Sequence, residues 1–163
     1  MRRCVRSVRR VVFSVVATLL VNVVLLGTVW FVGMRTKWRP VIDVQRRVNR
    51  RVVNPRQMAT AGQPGAYAGV IRHVGRYSGR SYETPVVPFR TGDGFVIVLP
   101  YGTRPDWVRN VLAADEAELV HEGETFQVRS PLVRNVQPGD VPAKETRAMR
   151  LFGTTECLVL RLA

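Results

Sequence analysis

From Val11 to Met34 the chain carries no charged residue, and Ser14, Thr18, Asn22 and Thr28 are the only hydroxyl or amide side chains in the run. As a helix rising about 1.5 Å per residue it reaches about 35 Å, enough to cross a hydrocarbon core about 30 Å thick. Trp30 and Phe31 near its far end suit the interfacial belt. The run exceeds the roughly 7–15 residues of a signal-peptide core and no Ala-x-Ala site follows, so it predicts an uncleaved anchor. Beyond it the pattern changes. Between Pro40 and Val53, Val41, Val44, Val48 and Val52 recur at helical spacing with arginines opposite them. This predicts a basic amphipathic helix, suited to a membrane surface or to covering one side of a domain. Pro40 fits its first turn, and Asn54-Pro55 is expected to end it. Gln57 to Gly65 reads as a loop.

From Tyr67 onward the segments are shorter and alternate. Tyr67 to Val74 is a strand with Val70 and Ile71 inside. Ser81 to Arg90 is a second, confined by Pro85 and Pro88 to an edge, a bulge or a partly unpaired course. After the turn Thr91–Gly94, Phe95 to Leu99 is wholly apolar and fits a central strand. Trp107 to Ala114 is a short helix with Thr103 or Asp106 as N-cap. Ala117 to Glu122 and Thr125 to Arg129 alternate around a Glu122-Gly123 hairpin, and Pro131 to Val136 continues the second strand past a bend. Asp140 to Phe152 reads as a helix. In the last strand, Thr155 to Leu162, Leu158, Leu160 and Leu162 share one face and Cys157 and Val159 the other. The pattern predicts a mainly β (α+β) fold: a small barrel of about six antiparallel strands with short helices, preceded by a transmembrane helix. Three segments follow: 1–34, a basic start and anchor; 35–66, amphipathic helix and linker; 67–163, the barrel.

Charge refines this division. The net charge is +13, but residues 1–56 hold 13 Lys/Arg and one acid, Asp43, whereas residues 57–163 hold 12 Lys/Arg and 11 acids. The barrel is nearly neutral, and the basic arm flanks an apolar run. An anionic membrane face therefore suits it better than nucleic acid. Five arginines precede the run, and Arg35, Lys37, Arg39, Arg46, Arg47, Arg50 and Arg51 follow it. The positive-inside rule thus places the barrel on the cytoplasmic side. Cys4 and Cys157 lie on opposite sides of the run and make no disulfide framework. His73 and His121 lack neighbours at metal spacing, so no metal site is expected.

Two loops carry the chemistry. His73 to Pro85 places Gly75, Arg76, Ser78, Gly79 and Arg80 within six residues between two strands. Glycines expose backbone N–H groups, and the arginines and hydroxyl add charge and donors. This is either an anion cradle or an arginine-rich turn facing water. The second loop is Pro100-Tyr101-Gly102-Thr103-Arg104-Pro105-Asp106, leading into the Trp107 helix.

Taken in order, Gly75-Arg76-x-Ser78-Gly79-Arg80, Thr84-Pro85, Pro100-Tyr101-Gly102 and Asp106-Trp107-x-x-Asn110-x-x-Ala113 resemble the deazaflavin-dependent nitroreductase family, which includes quinone reductases that use reduced coenzyme F-420. The resemblance covers roughly residues 45 to 135. It implies a split β-barrel like that of FMN-binding flavoproteins, frequently dimeric. It further implies that Arg76, Ser78, Arg80 and the backbone at Gly79 hold the phosphate and glutamate tail, and that Thr84 and Pro85 lie along the coenzyme. Pro100, Tyr101, Gly102 and Thr103 would approach the ring, with Trp107 and Asn110 holding that loop against the barrel. Solvent, Tyr101 and Ser78 are the candidate proton sources, and hydride would pass from carbon 5 of the reduced deazaflavin to a stacked acceptor. The anchor favours a lipophilic acceptor, a membrane quinone before a nitroaromatic. Two departures bear on this: Asp140 to Ala163 holds no tyrosine, only Met149 and Phe152, where nitroreductases of this type carry several, and Tyr77 stands where the family is often basic. The alternatives are FMN or haem on the same barrel, a non-catalytic membrane-tethered binding domain, and nucleic-acid binding through the arginine arm.

Overall fold

The computed structural model describes the backbone of residues 2–163 and the side chains of residues 12–163. The side chains of Cys4 and of the five leading arginines lie outside the described residues. In chain order the elements are α1 (Arg2–Arg35), α2 (Arg39–Val48), a π-helical turn (Asn49–Val53), α3 (Asn54–Met58), β1 (Gly69–Val74), β2 (Ser81–Val86), β3 (Pro88–Arg90), β4 (Gly94–Val98), α4 (Asp106–Ala114), β5 (Glu116–His121), β6 (Glu124–Asn135), α5 (Ala143–Leu151) and β7 (Glu156–Leu162).

All seven strands form one antiparallel sheet in the order β2-β1-β5-β6-β7-β4-β3. Its two edge strands, β2 and β3, are separated in sequence only by Val87. One residue cannot bridge a flat sheet of seven strands spaced about 4.8 Å apart, so the sheet curls until its edges meet. The result is a barrel split at Val87. The expected strand 81–90 is thus two strands, which raises the count from about six to seven. Pro85 and Pro88 are tolerated because both lie on edge strands.

Inward residues of every long strand meet in one cluster. Ile71, Phe95, Leu119, Leu158 and Leu160 are fully buried there, with Val108 and Val111 of α4 closing one end. Each such aliphatic or aromatic side chain contributes about 2–3 kcal/mol by leaving water. Cys157 and Val96 face a second cluster, under Met149 of α5 and Val141. The alternation expected for the last strand is observed. Glu122 and Gly123 turn the β5–β6 hairpin with φ of 52° and 81°, and Ser130 (φ 51°) marks the bulge at which β6 bends.

Two expected boundaries move. Asn54-Pro55 does not end the amphipathic helix. A π-helical turn absorbs the register change, the Asn54 N–H reaches back to the Asn49 carbonyl, and Pro55 falls in the first turn of α3. Neither Thr103 nor Asp106 caps α4. Pro105 occupies the cap position without a side-chain bond, because Asp106 is drawn to two arginines.

Within α1, the stretch Val12–Arg35 is long and apolar enough to cross a membrane, and it is unburied by the barrel. Its end is docked firmly. Trp30 and Phe31 pack on Phe152 with ring centroids 6.0 and 5.9 Å apart. Arg35 Nη1 donates to the carbonyls of Arg150 and Leu151, satisfying the C-terminal turn of α5. Met149 and Phe152, the nearest counterparts of the family's pocket tyrosines, therefore serve the second core and the helix dock.

Candidate functional site

The turn between β1 and β2 is built by close approach. Gly75 N–H donates to the Arg80 carbonyl and Gly79 N–H to the Gly75 carbonyl, both at 2.8 Å. A Cβ on Gly75 would lie 2.5 Å from Ser78 Oγ and 2.7 Å from the Tyr82 ring, so a side chain there would displace one of them. Gly79 has φ of 64°, with open space where a Cβ would stand. Ser78 Oγ is 3.2 Å from the Tyr82 hydroxyl. Arg80 is exposed, and its guanidinium has no hydrogen-bond partner among the described residues.

Arg76 behaves differently from Arg80. Its backbone N–H and Nη1 both donate to Asn110 Oδ1, at 3.2 and 2.8 Å, and Nη2 donates to Asp106 Oδ1 at 3.2 Å. The guanidinium also lies over the Tyr77 ring, 4.5 Å from its centroid. Arg76 therefore fastens the turn to α4, and the free cation of the turn is Arg80. Asn110 is buried, and its amide supports the Gly75–Arg80 turn, whereas the sequence suggested that it held the Pro100 loop. Trp107, half-buried, packs against the main core.

His73, which sequence reasoning considered only for metal, completes this lock. Asn110 Oδ1 is already occupied by Arg76, so Asn110 Nδ2–H must donate to His73 Nδ1 at 3.2 Å. That leaves Nε2–H to donate to Thr84 Oγ1, also at 3.2 Å. The ring is 6% exposed and stacks on Tyr82, and burial holds its pKa below the usual histidine value, in keeping with a neutral ring. Two-residue alternation from the buried Ile71 was the signal for this inward position. Thr84 keeps its own hydroxyl proton to give elsewhere. Pro85 sits beside it, paired with Val70 on the edge strand.

The Pro100–Arg104 loop is held from outside the barrel. Lys37 Nζ donates to the Pro100 carbonyl at 2.8 Å. Burial lowers the Lys37 pKa, an effect partly offset by the charge of Glu156. A chain of side chains crosses α2 to reach the same loop. Trp30 Nε1–H donates to Gln45 Oε1, Gln45 Nε2–H to Asn49 Oδ1, and Asn49 Nδ2–H to the Tyr101 hydroxyl oxygen, at 2.9, 2.9 and 2.7 Å. Burial raises the Tyr101 pKa and the bond from Asn49 opposes it. With its oxygen accepting from Asn49, Tyr101 retains a proton to donate. Gly102 turns with φ of 67°, and its N–H donates to the Leu99 carbonyl at 3.0 Å.

Between this loop and α2 lies a cleft of about 370 Å³, lined in part by Lys37, Arg39, Arg46, Tyr101, Thr103 and Arg104. Cations outnumber acids along it. The two loops meet at Asp106, which follows the second loop and binds Arg76 of the first. Partial burial pushes its carboxyl up, but the bond from Arg76 and the charges of Arg109, Arg76 and Arg46 outweigh that and hold it below the usual range. The structure thus joins Arg76, Asn110, His73 and Thr84 in one network and Tyr101 with Thr103 in one cleft. No hydrogen bond or ion pair joins Ser78 or Arg80 to the Pro100 loop among the described residues.

The sequence model of the F-420H(2)-dependent quinone reductase family matches residues 37–147. The chain belongs to this family, and so to the oxidoreductases that depend on reduced F-420. The match takes in the turn, the cleft and α4. Among solved structures, the chain is similar to an F-420-H2 dependent reductase (FDR-A), at 12% identity and TM-score 0.40, over 58% of this chain and 94% of that one. It is also similar to an F-420 reductase, at 14% identity and TM-score 0.38, over 64% and 91%. A structure described as a domain-swapped dimer matches at 13% identity and TM-score 0.39, over 72% and 97%. At such scores the fold rests on the strand topology itself. No curated protein matches, and the matched family is named for reduced F-420.

Proposed function

We propose that this chain is a membrane-anchored oxidoreductase that passes a hydride from reduced F-420 to a lipophilic quinone. One observation carries the choice of acceptor: the Pro100–Thr103 loop is held by Lys37, just past the apolar helix, and by Asn49 at the end of α2, the helix that packs back on it. The site is therefore tied to the point where the chain leaves the membrane. The absence of tyrosine from Asp140 to Ala163 favours a quinone over a nitroaromatic.

The donor set suits a polyanionic coenzyme. Ser78, the open backbone at Gly79 and the unpaired Arg80 would receive its phosphate and tail, with Thr84 and Pro85 alongside. Arg76 belongs to the positioning of that turn. Pro100, Tyr101, Gly102 and Thr103 would lie against the ring, and Arg39, Arg46 and Arg104 would add positive field. When bound, the coenzyme supplies the hydride from its carbon 5. The protein aligns the acceptor, excludes water and offers a proton from the Tyr101 hydroxyl. In this reading residues 1–34 anchor, 35–66 strap the loop and 67–163 form the coenzyme-binding barrel. The excess of cations after the span favours the cytoplasmic side.

The test is reduction of a long-chain quinone by the full chain in nanodiscs, followed by the return of oxidised deazaflavin absorbance. Turnover with the quinone and little with nitroaromatics is expected. Preference for nitroaromatics, or no turnover with any quinone while the coenzyme binds, would contradict the acceptor.

A further inference from the structure

The sequence left α2 with two uses, a membrane surface or one side of the domain. In the fold one face of it covers the barrel and another face is exposed. Ile42, Arg46 and Asn49 lie toward the barrel, where Ile42 is buried and Asn49 reaches Tyr101. On another stripe Val44, Val48 and Val52 are 58%, 44% and 43% exposed, and Trp38 at the start of the helix is 53% exposed.

The direction of that stripe is set by α1. A Cβ on Gly33 would fall 2.6 Å from Val41, and Trp30 reaches Gln45. Position 33 thus meets 41 and position 30 meets 45, so α2 turns back along the end of the apolar helix. Val44 and Val48 follow the face that bears Val41 and continue it away from α1 at helical spacing. Arg47, Arg50 and Arg51 flank them, while the one acid of α2, Asp43, pairs with Arg46 at 3.7 Å.

We propose that this stripe is a second membrane contact. Val44, Val48 and Val52, with Trp38, enter the interface of the bilayer that α1 crosses, and the flanking arginines meet anionic lipid headgroups. Continuity with the apolar helix and the sign of the flanking charge select a lipid surface over a protein partner. The inference rests on α1 spanning the membrane. Its consequence is that the strap holding Tyr101 is itself seated at the level of the headgroups.

The test uses the full chain with Cys4→Ser, reconstituted in vesicles of three parts phosphatidylcholine to one part phosphatidylglycerol. Spin labels are placed singly at Val44→Cys, Val48→Cys and Val52→Cys, with Asp43→Cys as the aqueous reference and Leu20→Cys as the reference within the span. A protein without an added cysteine controls for Cys157, which is buried. At the three valine positions, collisional relaxation by oxygen should exceed that by a water-soluble nickel chelate several-fold, with the order reversed at position 43. Replacing phosphatidylglycerol by phosphatidylcholine should shift the three positions, and not position 20, toward the chelate. If position 20 favours oxygen while 44, 48 and 52 favour the chelate, the second contact is overturned and the span stands. Spin–spin broadening at the stripe would put a second copy there and overturn it as well. A chelate-accessible position 20 would overturn the span and this inference together.

Discussion

The two loops of the site are fastened in opposite ways. The Gly75–Arg80 turn is locked from inside the barrel, through Arg76, Asn110 and His73. The Pro100–Arg104 loop is held from outside it, by Lys37 and by the Trp30–Gln45–Asn49 chain. The first depends on core groups that cannot be unpaired cheaply. The second depends on a segment whose position is set where the apolar helix ends. One end of the site is therefore tied to the core, and the other to the end of the apolar helix.

Breaking the inner lock should cost most. Asn110→Ala leaves Arg76 and His73 without their shared partner and should lower stability by about 2–4 kcal/mol, read as a shifted denaturation midpoint. Equal midpoints for wild type and variant would mean that the turn is not fastened there. Arg80→Ala should leave the melting temperature within error and weaken reduced-coenzyme binding about 10-fold, as loss of one free cation would. Lys37→Met should cost about 1 kcal/mol of stability and depress turnover more than coenzyme affinity, because it frees the outer loop. An unchanged rate would remove the strap from the mechanism. Tyr101→Phe keeps the ring and loses the proton. It should lower kcat with little change in stability, and Asn49→Ala should reproduce part of that loss.

Acidification should separate the two loops further. Burial holds the folded pKa of His73 below its ordinary value of 6.5. Between those two values the unfolded chain binds the proton and the folded chain does not. Stability from the inner lock is then full above about 6.5 and declines as pH falls toward the folded pKa. His73→Gln should flatten that decline when denaturation midpoints are compared between pH 7 and 5. A wild-type decline that persists in the variant would assign it to another group.

Much of this was legible in the sequence because it is local. Alternation separated Leu158 and Leu160 from Cys157, turn chemistry placed the Glu122-Gly123 hairpin, and spacing exposed both loops. What was not legible depends on closure. The division of 81–90 at Val87 follows from the two sheet edges meeting. The commitment of Arg76 to α4 arises only when the barrel brings position 110 against position 76. Asp106 read as a cap because its arginine partners are remote in sequence or ambiguous along the helix. Asn49 could not be chosen from among the polar residues between Pro40 and Val53 until that segment was laid across the Pro100 loop.

The central claim is that these two loops together bind a polyanionic coenzyme. Its most direct test is an equilibrium titration of the full chain in nanodiscs with reduced F-420, comparing wild type with Arg80→Ala and Arg104→Ala. The expected result is saturable binding that weakens about 10-fold in each variant at unchanged melting temperature. Absence of saturable binding to the folded wild-type protein, or identical affinity in all three proteins, would contradict it.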